Sequence, residues 1–133
     1  MFIQRLLNQG NAPLLEQVVK FTAARHRLIA ENVVNASTPG YRQKDLSVEK
    51  FQGMLRDRVA VRSVSAPGAV GFGDIETDVE HPNRSILFHD GGNRSMEQLV
   101  TDQAKNALMH NLAIELLKKQ YGSLKNALME RIG

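Results

Sequence analysis

Residues 95–131 read SMEQLVTDQAKNALMHNLAIELLKKQYGSLKNALMER, and the spacing of this stretch decides the fold. Met96, Val100, Gln103, Ala107, His110, Ile114, Leu117, Tyr121, Leu124 and Leu128 step alternately by four and three residues. That is a heptad seam held over more than four repeats, the pattern of a helix laid along a partner helix. Ser95, with Gln98 three residues on, is a capping-box signature, so the predicted helix runs from there to about Arg131. At 1.5 Å per residue it is about 55 Å long, more than a compact globule of this size can enclose.

Working back along the chain, a second amphipathic helix is expected over residues 11–36. Leu14, Leu15, Val18, Val19, Thr22, Ala23, Ile29, Ala30 and Val33 fall mostly at three- and four-residue steps. Asn11 suits its cap and Pro13 its first turn. Pro39 forces Thr38 out of the helical region, so the helix ends near Ser37, and Pro39-Gly40 fits a type II turn. Leu15, Val18, Val19, Ile29 and Val33 on the first helix are the expected pairing positions. On the last helix they are Met96, Val100, Ala107, Ile114, Leu117, Tyr121, Leu124 and Leu128.

The middle has a different texture. Val59, Val61, the alternation Asp74-Ile75-Glu76-Thr77-Asp78-Val79-Glu80 and Ile86-Leu87-Phe88 predict short strands, with residues 66–73 a Gly-rich loop between them. The fold class is therefore mainly α. Long N- and C-terminal helices pair as an antiparallel-type coiled coil, with a small irregular or β segment between them. The expected division is 1–40 as N-terminal helix and export or assembly segment, 41–94 as loop and short-strand insert, and 95–133 as C-terminal coiled-coil helix, together one structural unit.

Composition argues against chemistry. The 133 residues contain no cysteine and no tryptophan, which removes disulfides, thiolate metal sites and cysteine nucleophiles, and 5% aromatic content leaves little for an aromatic pocket. His26, His81, His89 and His110 lack metal-ligand spacing, and His110, like Gln103, reads as a polar seam position that sets helix register. The acidic alternation at 74–80 reads as a solvated strand face, because a calcium loop needs a tight Gly-centred arrangement of oxygens. Gly68, Gly71 and Gly73 have the wrong spacing for a phosphate loop. Asn35, Asn83 and Asn93 begin Asn-x-Ser sequons but read as turn residues. Seventeen lysines and arginines against fourteen acids give a net charge of +3 that is spread and mixed in sign, unlike a nucleic-acid footprint. Neither a secretory signal nor a membrane span is expected. The sequence predicts no catalytic residue, cofactor or metal.

The junction after the first helix reads Asn32-Val33-Val34-Asn35-Ala36-Ser37-Thr38-Pro39-Gly40-Tyr41-Arg42. It resembles the N-terminal signature of bacterial flagellar rod and hook axial proteins, Asn-Ile-Ala-Asn-Ala-x-Thr-Pro-Gly-Tyr, departing only at Val33 and Val34. Asn32, Asn35, Ala36, Thr38, Pro39, Gly40 and Tyr41 carry the match. Short length, Phe51, Asp90-Gly91-Gly92-Asn93 before the last helix, Asn106-Ala107-Leu108, Leu116-Leu117 and Tyr121 extend the resemblance to proximal-rod members over essentially the whole chain. Gly92 departs from their usual Asp-Gly-Asn.

The resemblance implies a structural, non-enzymatic subunit of the flagellar basal body, exported by the flagellar type III system without signal cleavage. It implies self- and co-assembly through the terminal helices into a hollow, torque-transmitting, periplasm-spanning shaft that carries exported subunits. Implied partners are copies of the same chain, the rod subunits FlgC and FlgF, the rod adaptor FliE, the MS ring and the export gate, with no nucleic acid and no membrane insertion of its own. A sibling FlgC-like axial protein and a generic coiled-coil adaptor are the alternatives. Since ordering a residue costs about 1 to 2 kcal/mol, the terminal helices are expected to stay largely unformed until neighbouring chains cover them.

Overall fold

The structure, a computed structural model, describes residues 12–64, 87–89 and 95–132. Three helices and two short strands follow in the order α1 (Ala12–Val34), β1 (Lys44–Leu46), α2 (Val48–Ser63), β2 (Leu87–His89) and α3 (Met96–Ile132). The molecule is organised around the pairing of α1 with α3. Tyr121 on α3 reaches Glu16, whereas Asn106 and His110 reach Thr22, so the partner numbers fall as α1 advances and the helices are antiparallel.

The helix boundaries follow from local chemistry. Ser95 caps α3 as expected, its hydroxyl accepting from the Gln98 N–H at 3.2 Å and its carbonyl from the Leu99 N–H at 2.9 Å. At the far end of α1 the Asn35 N–H still donates to the Glu31 carbonyl, after which the chain turns. Gly40 has φ +76° and the Tyr41 N–H donates to the Thr38 carbonyl at 3.2 Å, the geometry of a type II turn with Pro39 and Gly40 at its centre. The Asn11 cap lies outside the described residues.

The inward stripe of α3 is rotated relative to the predicted seam. Leu99, Asn106 and Ala113 are its deepest residues, while Met96 and Val100 are 48% and 51% exposed within the chain. The inward stripe keeps heptad spacing but runs one residue before Val100, Ala107 and Ile114, so the whole facing track is displaced around the helix. Near its start α3 therefore turns Leu99 inward in place of Met96 and Val100. Within one chain α1 and α3 cover part of each other's length. Coverage is incomplete, because α3 has 37 residues and α1 has 23.

Within the described part of 41–94 the chain forms a helix, α2, where a loop with short strands is expected. Val59 and Val61 lie in α2, not in a strand. Ser47 caps this helix, with its side-chain hydroxyl accepting from the Lys50 N–H and its carbonyl from the Phe51 N–H, and Glu49 in the first turn suits the helix dipole. Lys, Gln, Met, Leu and Arg then carry the helix far enough to override the β-branched valines. The 86–88 expectation meets β2, which pairs antiparallel with β1 in the register Lys44↔His89, Asp45↔Phe88, Leu46↔Leu87. The 66–73 loop and the 74–80 alternation lie outside the described residues.

A small core sits where α1, β1 and α2 converge. Phe21, Ala24, Leu46 and Phe51 are buried there, flanked by Leu14, Val18, Leu28, Val48, Met54 and Leu55. The rings of Phe21 and Phe51 stack with centroids 4.0 Å apart and 7° between planes, holding α2 on α1. Thus α1 is enclosed on two sides, by α3 and by the β1–α2 unit.

Candidate assembly interface

The Asn-rich stretch divides into a buried clamp and an exposed turn. Asn32 is 1% exposed, and its side chain does the work of a strand edge. Its Nδ2 donates to the Lys44 carbonyl at 2.7 Å, while its Oδ1 accepts from the Lys44 N–H at 3.1 Å and from the Tyr41 hydroxyl at 3.3 Å. Both main-chain groups of one β1 residue are thereby tied to the last turn of α1. Asparagine suits this position because a single amide presents a donor and an acceptor side by side.

Asn35 holds the turn itself. Its Nδ2 donates to the Glu31 carbonyl at 2.9 Å, and its Oδ1 accepts from the Thr38 hydroxyl at 3.2 Å. Ala36, Ser37, Thr38, Pro39 and Gly40 are exposed, while Asn35 and Tyr41 are half-buried. The turn is thus pinned from below and offered to solvent above.

One residue beyond Lys44, Asp45 fixes β1 to α1 a second time. The Arg25 guanidinium donates to both carboxylate oxygens, from Nε at 2.9 Å and from Nη2 at 3.1 Å, and Asp45 Oδ1 also accepts from the Leu46 N–H at 2.7 Å. The side chains are 15% and 3% exposed, so the pair works in a poorly solvated place and depends on its bidentate geometry. The sequence reading passed over this pair, since a spacing of 20 residues gives no local signal.

Along the helix pair, Leu15 and Ile29 are buried at 9% and 0% exposure, and Val18, Val19 and Val33 are half-buried. On α3, Ala107, Ile114, Leu117, Leu124 and Leu128 are half-buried, and Tyr121 is 39% exposed. The Tyr121 hydroxyl donates to Glu16, and that bond with partial burial and the carboxylate's charge pushes the phenol up to about 12. His110 and Gln103 are half-buried, and His110 meets Thr22.

A second apolar stripe of α3 turns away from α1. Leu108, Leu112 and Leu116 follow at four-residue steps, 72%, 52% and 42% exposed, with Met109 beside them at 50%. Such a row exceeds the scattered exposed leucines of an ordinary surface. Among the described residues no cluster of His, Asp and Glu is arranged to hold a metal, and no helix is long and apolar enough to cross a membrane. What the surface offers is contact area together with a rigid turn.

No family model matches the chain, and no solved structure matches it. Among characterised proteins it is similar to the flagellar basal body rod protein FlgB of Salmonella typhimurium, strain LT2. The two are 25% identical over an alignment of 126 residues that covers 85% of this chain and 88% of that protein. With its paired terminal helices and its Asn-rich turn, the chain is FlgB-like over most of its length.

Proposed function

We propose that this chain is a structural subunit of the proximal rod of a bacterial flagellar basal body. The observation that carries the proposal is the likeness to FlgB across most of both chains, with the Asn-rich turn as its local counterpart. The chain adds to the shaft by side-to-side packing of terminal helices. Its expected neighbours are copies of itself, the rod subunits FlgC and FlgF, the adaptor FliE, the MS ring and the export gate, which it reaches through the flagellar type III route. The physics supports a scaffold. The buried polar groups serve to position elements, and the exposed leucine row on α3 gives a neighbour's helix something to cover. A heterologous contact of that kind extends into a helical shaft when its rotation does not close.

The test is genetic and structural. Deleting the gene in the source bacterium should abolish motility and leave basal bodies arrested before rod completion, and the wild-type chain should restore both. A chain carrying Leu112→Glu and Leu116→Glu should keep its helical circular dichroism yet fail to restore rods. Motile cells with complete rods after the deletion would overturn the proposal.

A further inference from the structure

The two facing helices repeat one pattern. On α1 the heptad-spaced residues Leu15, Thr22 and Ile29 are 9%, 2% and 0% exposed, and on α3 Leu99, Asn106 and Ala113 are 0%, 4% and 2% exposed. In each triplet the outer members are apolar and the middle one is polar. The middle members meet, with Asn106 Nδ2 donating to the Thr22 carbonyl at 2.8 Å. One helical turn further along α3, His110 Nδ1 lies 2.7 Å from the Thr22 hydroxyl. That hydroxyl also sits 2.9 Å and 3.0 Å from the Val18 and Val19 carbonyls, which can only accept. We assign its proton to them, and with it the tautomer in which the ring nitrogen donates to the hydroxyl oxygen.

We propose that the Thr22–His110 contact is the register lock of the helix pair, selecting one antiparallel alignment from a set of near-equivalent heptad slips. Sliding one helix by seven residues keeps apolar residues opposite apolar residues over most of the seam, so packing alone discriminates poorly. Asn106 does not discriminate either, because every residue of α1 carries a main-chain carbonyl. The hydroxyl is different. A one-heptad slip puts Leu15 or Ile29 where Thr22 stood, and the imidazole N–H then faces hydrocarbon with no acceptor. A polar group at a seam position lowers stability in the correct pairing and penalises the wrong ones more. Asn106 adds a requirement for close approach, and Thr22 with His110 supplies the address. This inference concerns the chain's own helix pair and stands or falls apart from the rod reading.

The chain has no native cysteine, so engineered pairs report register directly. Glu16 and Tyr121 meet at the tips of their side chains in the native alignment, so Glu16→Cys with Tyr121→Cys should be bridged within the chain by a short flexible bismaleimide, while Glu16→Cys with Leu128→Cys should not. Exchanging the middle and outer residues of α1, as Thr22→Ile with Ile29→Thr, moves the hydroxyl by one heptad. The cross-link should then shift from position 121 to position 128. Removing the lock, as Thr22→Val with His110→Leu, keeps side-chain bulk in the seam, should preserve helicity, and should leave both cross-links within about tenfold of each other. Thr22→Ser retains a hydroxyl and should retain the single native cross-link. If the exchanged chain is helical and links only at 121, the inference is overturned. If the exchanged chain does not fold, a lock-deleted chain that links only at 121 overturns it equally.

Discussion

Replacing Asn32 by alanine removes a side chain that holds both main-chain groups of Lys44, at 2.7 Å and 3.1 Å, from a position 1% exposed. Two such bonds contribute about 1 kcal/mol each in net terms. The lost amide volume, left as a cavity under the turn, adds about 1 kcal/mol. Lys44 is half-buried and water can recover part of its bonding, so the expected loss is about 2 to 3 kcal/mol. The Tyr41 contact, at 3.3 Å, adds little. Urea denaturation of the purified chain, followed by far-ultraviolet circular dichroism, measures the total. Hydrogen exchange at the Lys44 amide measures the local part, where a loss of about 2 kcal/mol corresponds to roughly thirtyfold faster exchange. Asn32→Asp sharpens the test, because a carboxylate still accepts from the Lys44 N–H but has no proton for the Lys44 carbonyl. Its deficit should exceed that of the alanine variant at neutral pH and shrink as acid protonates the carboxyl. An alanine variant that loses less than about 0.5 kcal/mol and keeps slow exchange at Lys44 would refute the clamp.

Arg25→Met should cost about 3 kcal/mol, since it removes a bidentate guanidinium from a carboxylate whose side chain is 3% exposed, and the same urea titration measures it. Gln17 is 3% exposed and its Oε1 has no hydrogen-bond partner among the described residues, so Gln17→Met should raise stability by about 1 kcal/mol; a fall would show that the amide has an unrecognised use. Gly40→Ala places a methyl group in open space but forces alanine to φ +76°, for a loss of about 1 kcal/mol that is purely conformational. In a Tyr41→Phe chain the remaining phenol, Tyr121, should ionise near 12 by ultraviolet absorbance, and Glu16→Gln should lower that value. The folded chain holds this proton more tightly than the unfolded one. Its stabilisation is therefore complete below pH 10 and lost as the pH rises from 10 through about 12.

The parts of the fold that sequence reading recovers are those whose signals are local and repeated. The last helix announces itself through four heptads and a Ser95 cap, and the turn through Thr38-Pro39-Gly40, each a constraint that acts within a few residues. The helix α2 is harder to see because its inward face is narrow. Phe51 is its deepest anchor, Met54 and Leu55 are half-buried, and Val59 and Val61 remain 45% and 49% exposed, so its apolar residues do not form one stripe. Heptad counting also shows that α3 has a seam without fixing which residues lie deepest, since Leu99, Asn106 and Ala113 form a neighbouring heptad row and only packing against α1 decides between the two. The Asn32 clamp and the Arg25–Asp45 pair depend on residues that only the folded chain brings together. The resemblance at 32–42 marks Asn32 as part of a motif but says nothing of Lys44.

These long-range contacts together explain why a turn motif belongs beside an assembly helix. Lys44, Asp45 and Leu46 are consecutive, and each is fixed to the α1 unit by a different means: the Asn32 amide, the Arg25 guanidinium, and burial of Leu46 in the core that contains Phe21. Asn32 and Arg25 lie seven residues apart on one face of α1, so β1 cannot rotate about the helix without breaking both attachments. The chain following β1, with α2 held by Phe51 on Phe21, therefore keeps a set direction relative to the helix pair. Two classes of assembly defect follow and should separate experimentally. A change on the exposed row, such as Leu112→Glu, should weaken assembly while leaving the stability of the isolated chain within about 0.5 kcal/mol. A change at Asn32 touches no neighbour, so its effect on assembly should scale with its loss of stability. A compensating stabiliser elsewhere, Gln17→Met for example, should recover part of it. If Asn32→Ala blocked assembly completely while the chain retained its stability, the side chain would have to act on a neighbour directly, and the 1% exposure of Asn32 argues against that.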